Sequence, residues 1–196
     1  MKSVEELAKI AKQLKEKGMN DKDIATEMHL SLNTVIWLLS GESKSKEVPN
    51  DVKIGWRSIG VYGSRISHIA EVMTEIIEEE TFDDEKEVDT VVGITINGIP
   101  YASFISYLTG KELGIYRALP QKGEGTFSSN YASVTGKRVV LVDDVISTGE
   151  TVTKAIQAVK SEKGEVALIV VLTNKTGKDE MQGVPIRSLI RARLIG

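Results

Sequence analysis

The sequence predicts an α/β fold, a parallel sheet flanked by helices, preceded by a small all-α domain. From about residue 54 onward, apolar runs alternate with helical patterns, and these runs are nearly continuous, as in a parallel sheet covered on both faces. Residues 1–41 instead carry three helical patterns. Residues 42–53 are polar, contain one proline and lack apolar periodicity. We therefore predict a helical domain at 1–41, a linker at 42–53 and an α/β domain at 54–196.

The composition excludes several classes of protein. The chain has 196 residues, of which 41% are hydrophobic and 27% charged, with a net charge of −3. This is enough apolar content for a core and is too balanced for a disordered chain. Without cysteine there is no disulfide framework or thiolate metal site, and two histidines leave little for a histidine site. The N-terminus is charged from its second residue and no apolar run is long enough to span a membrane, so we expect a cytoplasmic protein.

Three helices are predicted in the first domain. Residues 3–6 (Ser-Val-Glu-Glu) form a capping-box signature that begins the first helix. Asn20 caps the second helix, and Ser31 caps the third, which runs to Leu39. Trp37 lies off the apolar stripe of this third helix, so we expect it to pack against the linker or the neighbouring domain.

The α/β domain begins with an amphipathic helix and then alternates strands with helices. The helices are predicted at 64–80, 99–109 and 150–163. The strands are predicted near 88–95, 114–119, 138–142, 166–172 and 186–194.

Residues 138–151, RVVLVDDVISTGET, are the most informative segment. An apolar strand ends in Asp143 and Asp144, followed by a turn of small residues and a helix. Ligands of open α/β sheets bind beyond the carboxyl ends of strands, and the N–H groups of a helix N-terminus suit a phosphate. Adjacent carboxylates suit the hydroxyls of a ribose, or Mg²⁺ directly or through water. Two aspartates alone would more often start a turn and cap a helix, but the full pattern favours a ligand site.

This segment closely resembles the phosphoribosyl-pyrophosphate motif of the type I phosphoribosyltransferases. Residues 95–100 (TINGIP) occupy the place of the pyrophosphate-binding loop of those enzymes, and residues 184–190 that of their closing strand. The resemblance implies that Asp143 and Asp144 bind the ribose hydroxyls, with Mg²⁺ accompanying the diphosphate. It assigns the 5-phosphate to Ser147, Thr148, Gly149 and Thr151, and the pyrophosphate to Ile96, Asn97 and Gly98. Arg117 and Lys122 could also reach the pyrophosphate, although Lys122 is as readily explained as a solvated surface charge.

The segments that carry catalysis in those enzymes differ here. Ala118 stands where orotate phosphoribosyltransferases have a lysine, and no histidine occurs in the following loop. Ser147 stands where purine-salvage members often have an aspartate, and residues 174–183 contain no aromatic side chain to stack on a base. We therefore predict no catalytic residues and little or no enzymatic activity. The alternative is an active orotate or purine phosphoribosyltransferase with a helical appendage.

A second resemblance indicates regulation. Residues 123–131 resemble a segment of the bacterial purine-operon repressor, a phosphoribosyltransferase-like regulator. The whole chain resembles the archaeal orotate-phosphoribosyltransferase-like transcriptional regulators, which place a helix-turn-helix ahead of such a domain. The resemblance implies a regulator that binds promoter DNA and senses phosphoribosyl pyrophosphate or a related phosphorylated sugar or nucleotide.

The three helices of the first domain have the spacing of a helix-turn-helix. Ser31, Asn33 and Thr34 would lie on the outer N-terminal part of the third helix, where asparagine can pair with adenine and hydroxyls can contact phosphate. Lys9 and Lys22 are candidates for further phosphate contacts. However, residues 1–48 contain eight lysines, eight acidic residues and no arginine, so a basic stripe is lacking and a module for dimerisation or protein contact stays open. Because one helix-turn-helix makes few base contacts, we expect a homodimer.

Overall fold

The structure is a computed structural model that describes residues 3–41, 49–82, 87–119 and 124–193. The chain divides into two compact units. The first comprises the described residues up to Ile54 together with Arg193, and the second is Gly55–Ala192.

Three helices form the first unit. They span Val4–Glu16 (α1), Asp21–Met28 (α2) and Leu32–Ser40 (α3). Each begins with a side-chain cap, made by Ser3, Asn20 and Ser31, and the predicted capping box of α1 is present. Because these caps satisfy backbone N–H groups that have no partner within the helix, they fix where each helix starts.

The core of the first unit includes Ala11, Ile24, Val35 and Leu38, which are almost completely buried. Trp37 belongs to the same cluster and is only 8% exposed. Trp37 is therefore part of the helical core, and its predicted position off the apolar stripe was wrong. Helix α3 is short and buries more than one stripe, so helical periodicity alone misplaced this side chain.

The end of the predicted linker also packs on these helices. Asp51 Oδ2 accepts hydrogen bonds from the Ser31 backbone N–H (2.6 Å) and from Thr34 Oγ1 (2.9 Å). Lys53 Nζ donates to the backbone oxygen of Met28 at the end of α2. Residues 51 and 53 thus belong to the helical unit rather than to a linker, because Asp51 supplies an acceptor at the start of α3. Residues 42–48 lie outside the described part of the chain.

Among its described residues, the second unit contains four helices and seven strands. The helices are Arg57–Gly60 (α4), Gly63–Thr81 (α5), Gly98–Thr109 (α6) and Glu150–Ser161 (α7). The strands are Thr90–Ile94 (β1), Glu112–Leu119 (β2), Glu124–Phe127 (β3), Arg138–Ile146 (β4), Glu165–Asn174 (β5), Glu180–Met181 (β6) and Val184–Arg191 (β7). The short elements α4, β3 and β6 were not predicted, since four residues or fewer show no usable periodicity.

The seven strands form one sheet in the order β3-β2-β1-β4-β5-β7-β6. The five central strands are parallel, and β3 and β6 pair antiparallel at the two edges. The predicted parallel α/β sheet is therefore confirmed. The chain leaves β1 toward β2 on one side and later adds β4 on the other, so the strand order reverses between β1 and β4. Ligands of such sheets bind at this switch point.

Helices cover both faces of the sheet. Val140 and Val142 of β4 pack in the cluster beneath α5 and α6, whereas Val139 and Leu141 pack in the cluster beneath α7. Successive side chains of a strand point to opposite faces, so burial of both faces requires the continuous apolar runs seen in the sequence. Within the described residues, no helix is both long and apolar enough to cross a membrane.

Candidate functional site

The carboxyl ends of β1 and β4 lie side by side at the switch point. Gly93 of β1 is in register with Val142 of β4, which places residues 95–98 next to the two aspartates. Asn97 Nδ2 donates to Asp144 Oδ2 over 3.2 Å. The peptide between Thr95 and Ile96 is cis, and the Ile96 side chain is largely exposed. The structure therefore brings together the residues predicted for ribose and for pyrophosphate.

Gly98, the first residue of α6, makes this close approach possible. A Cβ atom at Gly98 would lie 2.3 Å from the carbonyl oxygen of Val142 and 3.0 Å from Cα of Asp143. Both atoms belong to the backbone of β4, which is paired on both sides and cannot give way. A side chain at this position would therefore push the 95–98 loop away from the aspartates.

The two aspartates have different surroundings. Asp143 is buried, and its Oδ1 accepts a hydrogen bond from the Asp144 N–H at 2.9 Å. Burial, followed by the charge of Asp144, raises the pKa of Asp143 well above its ordinary value. The Asp144 side chain instead accepts hydrogen bonds from two side-chain N–H donors, Trp56 and Asn97.

Trp56 is a site residue that the sequence did not suggest. Its Nε1–H donates to Asp144 Oδ2 at 2.7 Å across a separation of 88 residues. The indole also lies against Tyr101, with ring centroids 5.9 Å apart. Burial and the charge of Asp144 raise the pKa of Tyr101 to about 12, so this phenol stays neutral beside the carboxylate. No local pattern around Trp56 pointed to this contact, because the approach is made by tertiary folding.

The predicted phosphate loop leads into α7. The N-cap of α7 is Gly149 at φ 85°, which has no side chain to cap the helix, and the N–H of Glu150 donates to Thr148 Oγ1 at 3.4 Å. The first N–H groups of a helix have no partner within it and attract anions. Thr148 is exposed and Ser147 and Thr151 are half-buried, so their hydroxyls stand at the rim of this helix end.

A cleft of about 760 Å³ opens between the phosphate loop and residues 178–182. Thr148 and Gly149 line one side, and Lys178 and Met181 line the other. The buried Asp143 and Asp144 are not among its lining residues. The cleft thus extends the candidate site past the phosphate loop, over a wall that contains no aromatic side chain.

Two predicted contacts of the pyrophosphate are less well placed. Arg117 lies on β2 with an exposed side chain, opposite Thr126 of β3. Lys122 lies outside the described residues. Over the part of the chain that the structure describes, no group of three or more acidic or histidine side chains is clustered as metal ligands would be. The paired aspartates alone do not form a protein cage for a cation.

The residues predicted to contact DNA do not share one environment. Asn33 is exposed on α3, and Lys9 and Lys22 are exposed on α1 and α2. Thr34 differs from the prediction, because it is only 8% exposed and its hydroxyl donates to Asp51. Ser31 caps α3, and its hydroxyl lies 2.8 Å from Thr34 Oγ1. The hydroxyl of Thr34 is therefore used inside the unit, whereas the Asn33 side chain faces outward.

Known proteins resemble this chain along its whole length. A family model described as the phosphoribosyl transferase domain matches residues 61–190. The transcriptional regulator GfcR of Thermoplasma acidophilum is 57% identical over 196 residues, which cover 100% of this chain and 99% of that protein. The chain belongs to the GfcR family of transcriptional regulators. A second GfcR, from Picrophilus torridus, is 52% identical over 195 residues and covers 100% of both chains.

The GfcR relatives match the helical unit as well as the sheet, so the family shares both parts of the chain. The fold has a solved counterpart in orotate phosphoribosyltransferase from Aeropyrum pernix, with a TM-score of 0.57 and 23% identity over 76% of this chain and 82% of that one. The predicted type I phosphoribosyltransferase-like fold is confirmed by this likeness, and the predicted membership in a family of phosphoribosyltransferase-like regulators is confirmed by the family model and the GfcR relatives.

Proposed function

We propose that this GfcR-family chain is a DNA-binding transcriptional regulator whose α/β unit binds phosphoribosyl pyrophosphate or a related phosphorylated sugar or nucleotide. One observation carries the proposal: a unit of three short helices and a switch-point site, with paired aspartates followed by a glycine-capped helix, occur in one chain. The relatives that match both units are named transcriptional regulators, which supports the same function. As a transcriptional regulator in this proposal, the protein acts in the cytoplasm.

In this proposal the ligand spans the switch point. The ribose hydroxyls bind Asp143 and Asp144, and the 5-phosphate binds the N-terminus of α7 with the hydroxyls of Ser147, Thr148 and Thr151. The diphosphate lies along Ile96, Asn97 and Gly98, where Gly98 lets the loop approach β4 closely. Arg117 and Lys122 are the cations available to the diphosphate from β2 and the loop after it.

Mg²⁺ fits this site as a partner of the ligand rather than as a resident ion. Asp143 and Asp144 are adjacent carboxylates, and among the described residues they belong to no group of three or more acidic or histidine side chains that could hold a metal ion. Mg²⁺ keeps several water molecules and is commonly held by one or two carboxylates together with substrate phosphates. Asp143 and Asp144, directly or through water, would complete such a shell together with the diphosphate.

DNA contact in this proposal is made by α3. Asn33 is exposed at its N-terminal end and reads a base edge, and Lys9 and Lys22 contact phosphates. A single helix-turn-helix reads few bases, so two copies of the chain bind a two-fold site. Few lysines take part, so the salt dependence of binding is shallow for a DNA-binding protein.

A binding titration and an activity assay test the function together. Calorimetry with phosphoribosyl pyrophosphate and Mg²⁺ should show saturable heat. Anisotropy should show tighter binding to a duplex from upstream of the protein's own gene than to its scrambled version. Equal binding of both duplexes, or no binding at low salt, would refute sequence-specific DNA binding by the helical unit. The alternative, that these helices contact another protein, would then replace it.

The same preparation should release no pyrophosphate above background with orotate, adenine, guanine or hypoxanthine. Three groups that handle a base in those enzymes are missing from this sequence. Ala118 replaces a lysine, the loop after β2 has no histidine, and residues 174–183 have no aromatic side chain. Turnover of about one per second, the low end of ordinary enzymes, would instead establish an active phosphoribosyltransferase.

A further inference from the structure

Trp56 is held firmly against the proposed ribose site. Its carbonyl oxygen accepts hydrogen bonds from the N–H groups of Ile59 and Gly60 in α4. The indole ring lies so close to Gly60 that a Cβ there would come within 2.4 Å of it. With Tyr101 beside the ring and Asp144 at its N–H, the indole has one well-defined position.

A ligand hydroxyl that donates to Asp144 Oδ2 would compete with Trp56 for the same atom. Asp144 Oδ2 accepts from Trp56 Nε1 at 2.7 Å and from Asn97 Nδ2 at 3.2 Å. A carboxylate oxygen offers about two lone pairs, so a ribose hydroxyl that donates to Oδ2 displaces one of these donors. Asn97 belongs to the loop that the diphosphate would hold in place. Trp56 lies outside that loop, so the proposed binding of the diphosphate would not hold it at Oδ2.

Trp56 is also close in sequence to the residues that hold the reader helix. Asp51, five residues earlier, accepts hydrogen bonds from Ser31 and Thr34 at the start of α3. Lys53 donates to the last residue of α2. Four residues, 52–55, separate Asp51 from Trp56, so the chain path from the indole to the Asp51 contacts with α3 is short.

We propose that Trp56 is a positioning residue that transmits occupancy of the ribose site to the DNA-reading helix. A ligand hydroxyl replaces the indole at Asp144, Trp56 moves, and the grip of Asp51 on the start of α3 changes. This inference rests on the proposed function, because it assumes a ribose-type ligand and a reader in α3. Since coupling between two sites is reciprocal, DNA that favours one state of α3 also changes the affinity for the ligand.

Fluorescence of the full chain tests the first step. The chain has two tryptophans, so Trp37→Phe leaves Trp56 as the reporter. Addition of phosphoribosyl pyrophosphate with Mg²⁺ should change the Trp56 emission over the same concentrations that produce calorimetric heat. Heat without a change in emission would overturn the inference and leave the ligand site intact. Absence of heat would remove the ligand site itself, so the proposed function would fail with it.

A second pair of variants tests the coupling. Trp56→Phe keeps a ring but removes the N–H donor, so it should bind phosphoribosyl pyrophosphate up to about tenfold more tightly, as expected when one competing hydrogen bond is lost. Its affinity for a duplex selected from a random pool by the full chain should no longer depend on the ligand. Tyr101→Phe is the matched control, because the Tyr101 hydroxyl has no hydrogen-bond partner within the described residues, and it should keep the wild-type response.

The two variants also define the refuting results. A Trp56→Phe chain that responds to the ligand as the wild type does would overturn the inference. So would an equal loss of response in Tyr101→Phe, because ring packing and not the indole hydrogen bond would then carry the effect. If Trp56→Phe does not fold, the emission of Trp56 in the Trp37→Phe chain still decides.

Discussion

Replacing Gly98 by alanine tests whether the loop after β1 must touch β4. The new Cβ would stand 2.3 Å from the Val142 carbonyl oxygen, whereas ordinary van der Waals contact begins near 3.4 Å. The difference, 3.4 − 2.3 = 1.1 Å, is the distance by which the start of α6 must retreat. Asn97 Nδ2 and Asp144 Oδ2 are 3.2 Å apart, which is already long for a hydrogen bond, so a retreat of this size would break it.

We expect two separable losses in Gly98→Ala. Overpacking against a fixed strand should lower the free energy of unfolding by about 1–3 kcal/mol. Because the diphosphate would lose its close approach to the loop, affinity for phosphoribosyl pyrophosphate with Mg²⁺ should fall at least about tenfold, the equivalent of one lost hydrogen bond. Urea unfolding measures the first loss and isothermal titration the second.

Gly63→Ala is the matched control. Gly63 is likewise the first residue of a helix, α5, but among the described atoms nothing would lie within 4 Å of a Cβ added there. This variant should keep both stability and ligand affinity. If Gly98→Ala binds the ligand as tightly as Gly63→Ala does, the approach of the loop to β4 does not build the site and the ligand assignment to residues 96–98 is wrong.

Three further predictions concern the aspartates and the reader helix. Asp143→Asn with Asp144→Asn should weaken ligand binding at least about tenfold in a folded chain, since each charge-assisted hydrogen bond contributes about 1.5–3 kcal/mol; unchanged calorimetric affinity would refute the site. Because burial favours the protonated form of Asp143, its raised pKa stabilises the folded state fully below the ordinary pKa of 3.8. This stabilisation is lost as the pH rises through the raised pKa of the folded state. The free energy of unfolding of Asp143→Asn relative to wild type should therefore rise with pH in urea titrations, and a pH-independent difference would contradict it. Asn33→Ala should cost about 1–3 kcal/mol at one base position per half-site, whereas Lys22→Ala should weaken all duplexes alike; anisotropy with single-base variants separates the two.

The contact between Trp56 and Asp144 also bears on how the site is built. The Asp144 carboxylate, which we propose binds the ligand, is already hydrogen-bonded within the α/β unit, to Trp56 and to Asn97. A ligand hydroxyl that donates to Asp144 Oδ2 must compete with those donors, and a change of state requires such a difference in interaction free energy. The side chains of Trp56 and Asn97 are therefore built-in competitors of the ligand at this carboxylate.

The sequence by itself determined the parallel sheet, its covering helices and the ends of the three N-terminal helices. Continuous apolar runs identify strands buried on both faces, and caps such as Ser3 and Asn20 act on N–H groups two or three residues away. The Asp143–Thr151 pattern could also be recognised from the sequence, because its strand end, turn and helix start are consecutive in the chain.

Only the tertiary structure decided which distant groups meet. Trp56 reaches Asp144 across 88 residues, Asn97 reaches it across 47, and Asp51 reaches Ser31 across 20. The spacing of residues in the sequence does not indicate these contacts. Each depends on the order of the strands and on the path of the chain rather than on local burial. The same reason explains the misplacement of Thr34 and Trp37: helical spacing gives the angle of a side chain around α3, but the residues packed beside the helix decide whether that side chain is exposed.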